Sequence, residues 1–197
     1  MKKINFIHIA KNGGSSIKEY CNNNNKLLYN GHDAKISNLD NQMIIIRDPY
    51  SRFCSAVKYA IDNYSNSDKI KKIIDANLIE PEQWLNAWEN ENHEYHHLII
   101  NEITNEEHTI DSKKISLKWT YSPQYYWINE KKLKYIIPFD NMNKHFLELF
   151  GDKIPVKNAS SNIKEYNLSN KSKEFLKKIY KKDFEFIEKY PTFTTFI

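Results

Sequence analysis

Cysteine is scarce in this sequence, since only Cys21 and Cys54 occur among 197 residues. Two thiols cannot supply the disulfide framework of a small secreted module. The sequence therefore predicts a protein of a reducing compartment, and we expect a cytoplasmic location. One domain over residues 1–197 is the expected organisation, because a chain of this length supports a single hydrophobic core.

The sequence also has no large excess of positive or negative charge and no long apolar run. Lys and Arg total 29 against 25 Asp and Glu, so the formal net charge is only +4. This balance excludes the dense basic surface of a protein that coats nucleic acid, but it allows a local anion site. Lys11 interrupts the first apolar run too early for a secretion signal or a membrane span. We expect neither a nucleic-acid partner nor a membrane span, and the oligomeric state stays open.

Hydrophobic patterning predicts strands that alternate with helices. Four short apolar runs are typical of strands, and they cover residues 4–9, 27–29, 43–46 and 135–139. The continuous run 43–46 is expected at the centre of a parallel sheet. Apolar residues at steps of three and four predict helices after Ser16, Pro49 and Met142. The expected fold class is α/β, a three-layer sandwich with a mainly parallel central sheet.

Two regions give a weaker pattern. Residues 65–111 are polar, with helical patches at 70–76 and 81–88. Residues 168–190 combine apolar positions with many lysines, which predicts one or two amphipathic helices on the outside of the fold.

The stretch after the first predicted strand has the composition of a phosphate-binding loop. It consists of Lys11, Asn12, Gly13, Gly14, Ser15 and Ser16. Glycines let the backbone approach a ligand, and the N-terminus of the next helix offers N–H groups and the positive dipole end to an anion. In the nucleotide-kinase motif the lysine follows the second glycine, so this loop differs from it. The alternative is an ordinary strand-to-helix turn with a serine cap.

A second candidate anion site follows the strand at 43–46. Arg47 ends that strand, and Ser55 lies eight residues later on the predicted helix, so their side chains could close on one phosphate. The alternative is an ion pair of Arg47 or Arg52 with Asp48 and a serine that faces solvent. Two such sites at the carboxyl ends of parallel strands suit a ligand with phosphate at both ends.

These two segments resemble the cofactor-binding motifs of sulfotransferases, in particular the carbohydrate sulfotransferases that include the heparan sulfate 2-O- and chondroitin enzymes. Residues 6–16 are similar to the family's 5′-phosphosulfate-binding loop, with Asn12 where Thr is commoner. Residues 47–56 are similar to its 3′-phosphate-binding motif, with Arg47 and Ser55 on the ligand positions. Weaker matches follow in the family's order: Ser122-Pro123-Gln124-Tyr125-Tyr126, Phe139-Asp140-Asn141-Met142 with Asp140 in place of Glu, Asn158-Ala159-Ser160, and Tyr180 with Asp183-Phe184.

The resemblance implies a P-loop-like sulfotransferase fold and a sulfotransferase activity. The cofactor would be 3′-phosphoadenosine 5′-phosphosulfate (PAPS), which leaves as the desulfated product PAP, and no metal is required. The acceptor would be a hydroxyl on a small molecule or a glycan, with a carbohydrate preferred. The implied cofactor-binding residues are Lys11, Asn12, Gly13, Gly14, Ser15, Ser16, Arg47 and Ser55. Lys11 would also be catalytic, because it can offset charge that grows on the bridging oxygen.

His32 is the candidate general base. It lies between the two phosphate motifs and after the predicted second strand, and its position resembles the family's Gly-His catalytic site. The alternative is a polar residue in a glycine turn, in which case a Glu or Asp from residues 65–111 is the next candidate. His8 lies within the first strand, and we expect it to orient the loop through a hydrogen bond.

Two further groups have a structural and a functional interpretation. His93, His96 and His97 could bind zinc, but no cysteine or recognisable ligand spacing accompanies them, so a solvated helix face is favoured and no metal site is predicted. The aromatic residues between positions 121 and 127 could form a sugar-stacking wall, although core packing is favoured.

Two other functions remain open. An ATP-dependent P-loop phosphotransferase would use Asp48 to hold Mg²⁺, although the Gly-Lys-Ser/Thr sequence is missing. A catalytically silent nucleotide- or glycan-binding module would keep the anion site without the base.

Overall fold

The computed structural model describes residues 3–32, 36–110, 113–155 and 167–196. In chain order, the strands in these ranges are β1 (Ile4–Ile7), β2 (Leu27–Asn30), β3 (Gln42–Ile46), β4 (Thr104–Ile110), β5 (Lys113–Leu117), β6 (Leu133–Pro138) and β7 (Thr194–Thr195). The α-helices are α1 (Gly14–Asn23), α2 (Pro49–Tyr64), α3 (Asp68–Asp75), α4 (Pro81–Glu89), α5 (His96–Ile103), α6 (Met142–Phe150), α7 (Asn170–Ile179) and α8 (Lys181–Lys189). The predicted α/β class is confirmed.

A mainly parallel five-stranded sheet has the order β2-β1-β3-β6-β7. β1 pairs in parallel with β2 on one side and with β3 on the other, and β3 pairs in parallel with β6. Only β7 is antiparallel, against β6. The chain therefore moves from β1 outward to β2 and then crosses to the opposite side of β1, which makes the space between β1 and β3 a topological switch point.

β3 lies at the centre of this sheet and is buried on both faces. Met43 and Ile45 join a core cluster with residues of α1 and α6, whereas Ile44 and Ile46 join a cluster on the other face with Trp127 and a residue of α8. This alternation follows from the two-residue period of a strand. Both faces of the sheet are covered, which is compatible with the expected three layers.

Helices α2, α3, α4, α5 and α7 share a further apolar cluster. Phe53, Trp84, Ile99 and Leu176 are fully buried in it. At its start, α2 has Pro49 in the first turn and an Asp48 carboxylate that accepts hydrogen bonds from two backbone N–H groups. This cap explains why the helix begins directly after β3.

The polar middle of the chain contains more structure than its sequence pattern predicts. The helical patches at 70–76 and 81–88 correspond to α3 and α4, but the pattern gave no indication of α5 or of the antiparallel β4–β5 pair. Near the C-terminus, the expected amphipathic helices are α7 and α8, and both bury apolar residues, Leu176 and Phe186. No helix in the described part of the chain is long and apolar enough to cross a membrane.

Candidate functional site

The turn between β1 and α1 is shaped by sterics. Lys11 and Gly13 both have left-handed backbone conformations, with φ of 66° and 79°. At Gly14 a Cβ would lie only 1.8 Å from Cδ2 of His8, so any larger residue there would displace the imidazole. Gly14 thus lets the start of α1 pack directly against His8, and the first-turn N–H groups of α1 are the type that a helix leaves without intrahelical partners.

The end of β3 brings a guanidinium to this turn. Arg47 donates from Nη1 to the Lys11 carbonyl oxygen at 3.1 Å and from Nε to Ser51 Oγ at 3.0 Å. Its Cζ lies 4.4 Å from the centroid of the Phe139 ring, a cation–π contact. These contacts hold the Arg47 side chain beside the β1–α1 turn. The predicted alternative was an ion pair of Arg47 with Asp48. In the structure the Asp48 carboxylate instead caps α2, because it accepts hydrogen bonds from Tyr50 N and Ser51 N.

A cavity of about 400 Å³ opens at the carboxyl ends of β1 and β3. Most of the residues that the sequence singles out line it: Lys11, Gly13, Gly14, Ser15, Ser16, His32, Arg47 and Ser55. Ligands of open α/β sheets bind at such a switch point. The two predicted anion sites therefore form one continuous site.

Unlike the other predicted cofactor-binding residues, Asn12 does not line the cavity. Asn12 is only 1 % exposed. Asn12 Nδ2 donates to the Ile45 carbonyl oxygen and to Gln124 Oε1, both at 2.6 Å. Asn12 therefore supports the loop from beneath, because an amide of this length reaches the buried carbonyl of the neighbouring strand.

The charged side chains among the described residues that line the cavity are cationic. Lys11 and Arg47 line it, and no carboxylate from the described residues does so. Burial, followed by Arg47 and then Arg52, lowers the pKa of Lys11 from 10.5 to about 8. Its Nζ lies 3.8 Å from the centroid of the Tyr59 ring. Asp62 offsets only part of this effect on Lys11, and burying cations is costly, so an anionic ligand would relieve the remaining cost.

His32 lies at the β2 side of the cavity and is held at three points. Its Nδ1 is 2.8 Å from the His8 carbonyl oxygen, and because a carbonyl only accepts, Nδ1 carries the hydrogen. Its own carbonyl accepts from Trp127 Nε1 at 2.9 Å, and its ring centroid lies 5.3 Å from that of Trp119. In the neutral imidazole Nε2 is then the nitrogen with the lone pair, as a general base requires.

His8 contacts His32 through its ring and through its backbone carbonyl. The two ring centroids lie 3.9 Å apart, and His8 Nδ1 is hydrogen-bonded to the Tyr29 hydroxyl. Burial, followed by the charges of His32, Lys18 and Lys11, lowers the pKa of His8 from 6.5 to about 3. His8 is therefore neutral near pH 7 and is hydrogen-bonded to Tyr29, and its expected role in orienting the loop stays a prediction.

Sequence reasoning assigned no role to Gln124 or Asp183, although both lie in the weaker matching segments. The Gln124 side chain accepts from Arg47 N at 3.0 Å and donates to the Arg47 carbonyl oxygen at 2.8 Å, and it also accepts from Asn12. The buried Asp183 carboxylate in turn accepts from Gln124 N and Tyr125 N at 2.8 and 2.9 Å. This network fixes the end of β3 relative to the β1–α1 turn. The only signal in the sequence was the Pro-Gln and Asp-Phe pairs in the family's order.

Arg52 is buried completely and has a structural role. Its Nε donates to the Ala10 carbonyl oxygen at 3.0 Å, and Nη2 to the Trp119 carbonyl oxygen at 3.4 Å. It therefore ties α2 to the segments before Lys11 and around Trp119. The predicted Arg52–Asp48 ion pair is not among the contacts of the described residues.

The other sequence candidates have local roles. His96 Nδ1 is 2.8 Å from the Ala87 carbonyl oxygen, and His93 Nδ1 accepts from Tyr95 N. Within the described ranges no group of three His, Cys, Asp or Glu residues could hold a metal ion. Of the four aromatic residues, Tyr121 and Trp127 belong to the core at 1 % and 0 % exposure, as favoured, whereas Tyr125 and Tyr126 are only partly buried against it. The Asn158-Ala159-Ser160 match lies outside the described residues.

The chain was compared with protein-family models, with curated proteins and with solved structures, and none of the three comparisons gave a match.

Proposed function

We propose that this chain is a PAPS-dependent sulfotransferase that acts on a hydroxyl group of a carbohydrate. The observation that carries the proposal is the cavity between β1 and β3, which joins a lysine, an arginine and a glycine-serine helix start without any carboxylate from the described residues. His32 borders the same cavity. The resemblance of these segments to sulfotransferase motifs supports PAPS over other ligands that carry two anionic groups.

The residues of the cavity fit such a cofactor. Arg47 and Ser55 are donors that would bind the 3′-phosphate, since a guanidinium and a hydroxyl both donate to phosphate oxygens. The N-terminus of α1, from Gly14 to Ser16, would bind the 5′-phosphosulfate through backbone N–H groups and the helix dipole. The Lys11 ammonium would neutralise part of the same charge.

PAPS supplies a sulfuryl group attached to a phosphate leaving group. His32 Nε2 would take the proton of the acceptor hydroxyl while the acceptor oxygen bonds to sulfur. Lys11 would donate a hydrogen bond to the bridging oxygen as the bond from that oxygen to sulfur breaks, which stabilises charge that develops mainly in the transition state. His8, neutral and tilted by 36° against the ring of His32, would keep the imidazole in the required orientation.

Thermal unfolding in the presence of PAP or of ATP with Mg²⁺ tests the proposal. PAP at a hundredfold excess over its Kd adds about 2.7 kcal/mol, which raises Tm by roughly 5–10 °C for a chain of this size. We expect this shift without divalent metal, and a much smaller one with ATP and Mg²⁺. Equal shifts, or a PAP shift that needs Mg²⁺, would contradict the proposal and favour the phosphotransferase.

A further inference from the structure

The backbone of Arg47 lies just beyond β3, whose pairing with β6 ends at Ile46. Its N–H donates to Gln124 Oε1 at 3.0 Å, and its carbonyl oxygen accepts from Gln124 Nε2 at 2.8 Å. One side-chain amide therefore satisfies both backbone groups of Arg47, as a neighbouring strand would do within a sheet. Gln124 thus fixes the backbone from which the guanidinium extends into the cavity.

The same amide also holds the turn between β1 and α1. Asn12 Nδ2 donates to Gln124 Oε1 and to the Ile45 carbonyl oxygen, both at 2.6 Å. The backbone settles which amide atom points where, because a carbonyl only accepts and an N–H only donates. Gln124 Oε1 therefore accepts one hydrogen bond from each part of the anion site. We call residues 11–16 the loop arm and Arg47 the arginine arm of that site.

Gln124 is itself held firmly in place. The residue is only 2 % exposed, and its backbone N–H donates to the buried Asp183 carboxylate at 2.8 Å. The same carboxylate accepts from Tyr125 N at 2.9 Å. Because its backbone is anchored and its side-chain amide is bonded at both ends, Gln124 is a fixed reference point for the two arms.

A second link between the arms depends on the guanidinium. Arg47 Nη1 donates to the Lys11 carbonyl oxygen at 3.1 Å. A bound phosphate would compete for the guanidinium donors, since hydrogen bonds between two charged groups are stronger than those to a neutral carbonyl. The link through Gln124 uses only amide and backbone groups, so a ligand on the guanidinium would leave it intact.

The separation of the arms matters only to a ligand that uses both. Once one anionic group is bound, the second binds as if at high local concentration, provided that the two arms match its position. A misplacement of about 1 Å is enough to lose much of this advantage. A ligand with one anionic group binds at one arm and does not depend on the separation.

We propose that Gln124 is a positioning residue that sets the separation between the loop arm and the arginine arm. It thereby selects ligands with two anionic groups over ligands with one. The ligands chosen for the test rest on the proposed function, whereas the positioning of Arg47 can be measured in the free chain.

The first measurement uses Gln124→Met, which keeps the length of the side chain and removes its amide. Hydrogen exchange of the Arg47 amide, followed by NMR without ligand, should become about tenfold faster or more, because its hydrogen bond to a buried oxygen is lost. The Ile44 amide in the middle of β3 should change much less. Equal acceleration of both amides would show an effect on global stability alone and would contradict the proposal.

The second measurement compares PAP with adenosine 5′-phosphate and adenosine 3′-phosphate by calorimetric titration. In Gln124→Met the Kd of PAP should rise about tenfold or more, and the Kd of each single-phosphate nucleotide by about threefold or less. Gln42→Met is the matched control. The Gln42 amide is also buried, at the start of β3, and donates to the carbonyl oxygens of Ile36 and Leu39 at 2.6 and 2.8 Å. This control should lower Tm without changing the ratio of the three affinities.

If Gln124→Met does not fold, Asn12→Ala breaks the same link from the loop arm. It should give the same selective loss for PAP while the Arg47 amide stays protected. An equal loss for all three nucleotides, an unchanged Kd of PAP, or an unchanged exchange rate of the Arg47 amide in Gln124→Met would overturn the proposal. Failure of the wild-type chain to bind PAP would instead refute the proposed function and with it the ligand selectivity, and the exchange rates would still decide whether Gln124 positions Arg47.

Discussion

The two sides of the main cavity differ in the charge of their buried side chains. On the cationic side, Lys11 and Arg47 line the cavity without a carboxylate among its described lining residues, and burial lowers the pKa of both despite nearby Asp62 and Asp140. On the histidine side, burial keeps His8 neutral by lowering its pKa to about 3, and His32 is oriented through the His8 carbonyl. One side therefore carries positive charge, and the other holds His32 beside a neutral His8.

Under the proposed function, this difference predicts separate roles for the two sides in binding and in proton transfer. The cationic side should determine affinity for an anion, because its donors meet the phosphate groups in the ground state as well as in the transition state. The histidine side should determine turnover, because a general base acts only when the acceptor hydroxyl reacts. Variants on the two sides should consequently have different signatures.

The largest effect is expected on the histidine side. His32→Ala should lower turnover by about 10²–10⁴, the usual contribution of a positioned general base, while PAP affinity changes little. The measurements are initial rates on an acceptor that the wild-type chain sulfates and calorimetric titration with PAP. His97→Ala, which removes an exposed imidazole, is the matched control.

Near-normal turnover of the His32 variant would place the base elsewhere. A parallel loss of PAP affinity would show that the two sides of the cavity do not act separately.

A smaller effect is expected on the cationic side. Arg47→Ala should weaken PAP binding by about 1.5–3 kcal/mol, the scale of a lost charged hydrogen bond. Adenosine 5′-phosphosulfate, which lacks the 3′-phosphate, should bind the variant and the wild-type chain almost equally. Calorimetric titration of both ligands measures the difference, and Lys177→Ala on α7 controls for the loss of one exposed positive charge. An equal loss for both ligands would contradict the assignment of Arg47 to the 3′-phosphate.

The smallest effect is a pH dependence of PAP affinity. Lys11 has a pKa of about 8 in the free chain, and a bound anion raises that pKa, so binding takes up a proton in the range above 8. Affinity should therefore fall as pH rises through 8, by about tenfold for each unit by which PAP raises the pKa. Titrations between about pH 7 and pH 9.5 avoid the second ionisation of phosphate near about pH 6.

Lys11→Met provides the comparison for this pH series. Its affinity should be lower at neutral pH and should stay flat as pH rises. A flat profile of the wild-type chain, or the same decline in the variant, would exclude Lys11 as the titrating group.

Local features of the sequence were sufficient to predict those parts of the site that lie within a single strand-to-helix unit. The β1–α1 turn and the β3–α2 turn follow from apolar strands, from glycines at 13 and 14 and from Pro49 in the first turn of α2. Because the strands are parallel, these two turns had to lie at the same edge of a sheet. Whether the family resemblance extends to activity stays a prediction.

Local sequence patterns were enough to specify the strand-to-helix units, because their periodicity and caps depend on neighbours within a few residues. Long-range packing, in contrast, turns Asn12 towards the interior, brings Asp183 to Gln124 across 59 residues of chain, and places Glu102 against Lys118. These contacts join segments that are distant in the chain, and their free energy depends on which side chains packing brings together, which no local pattern records.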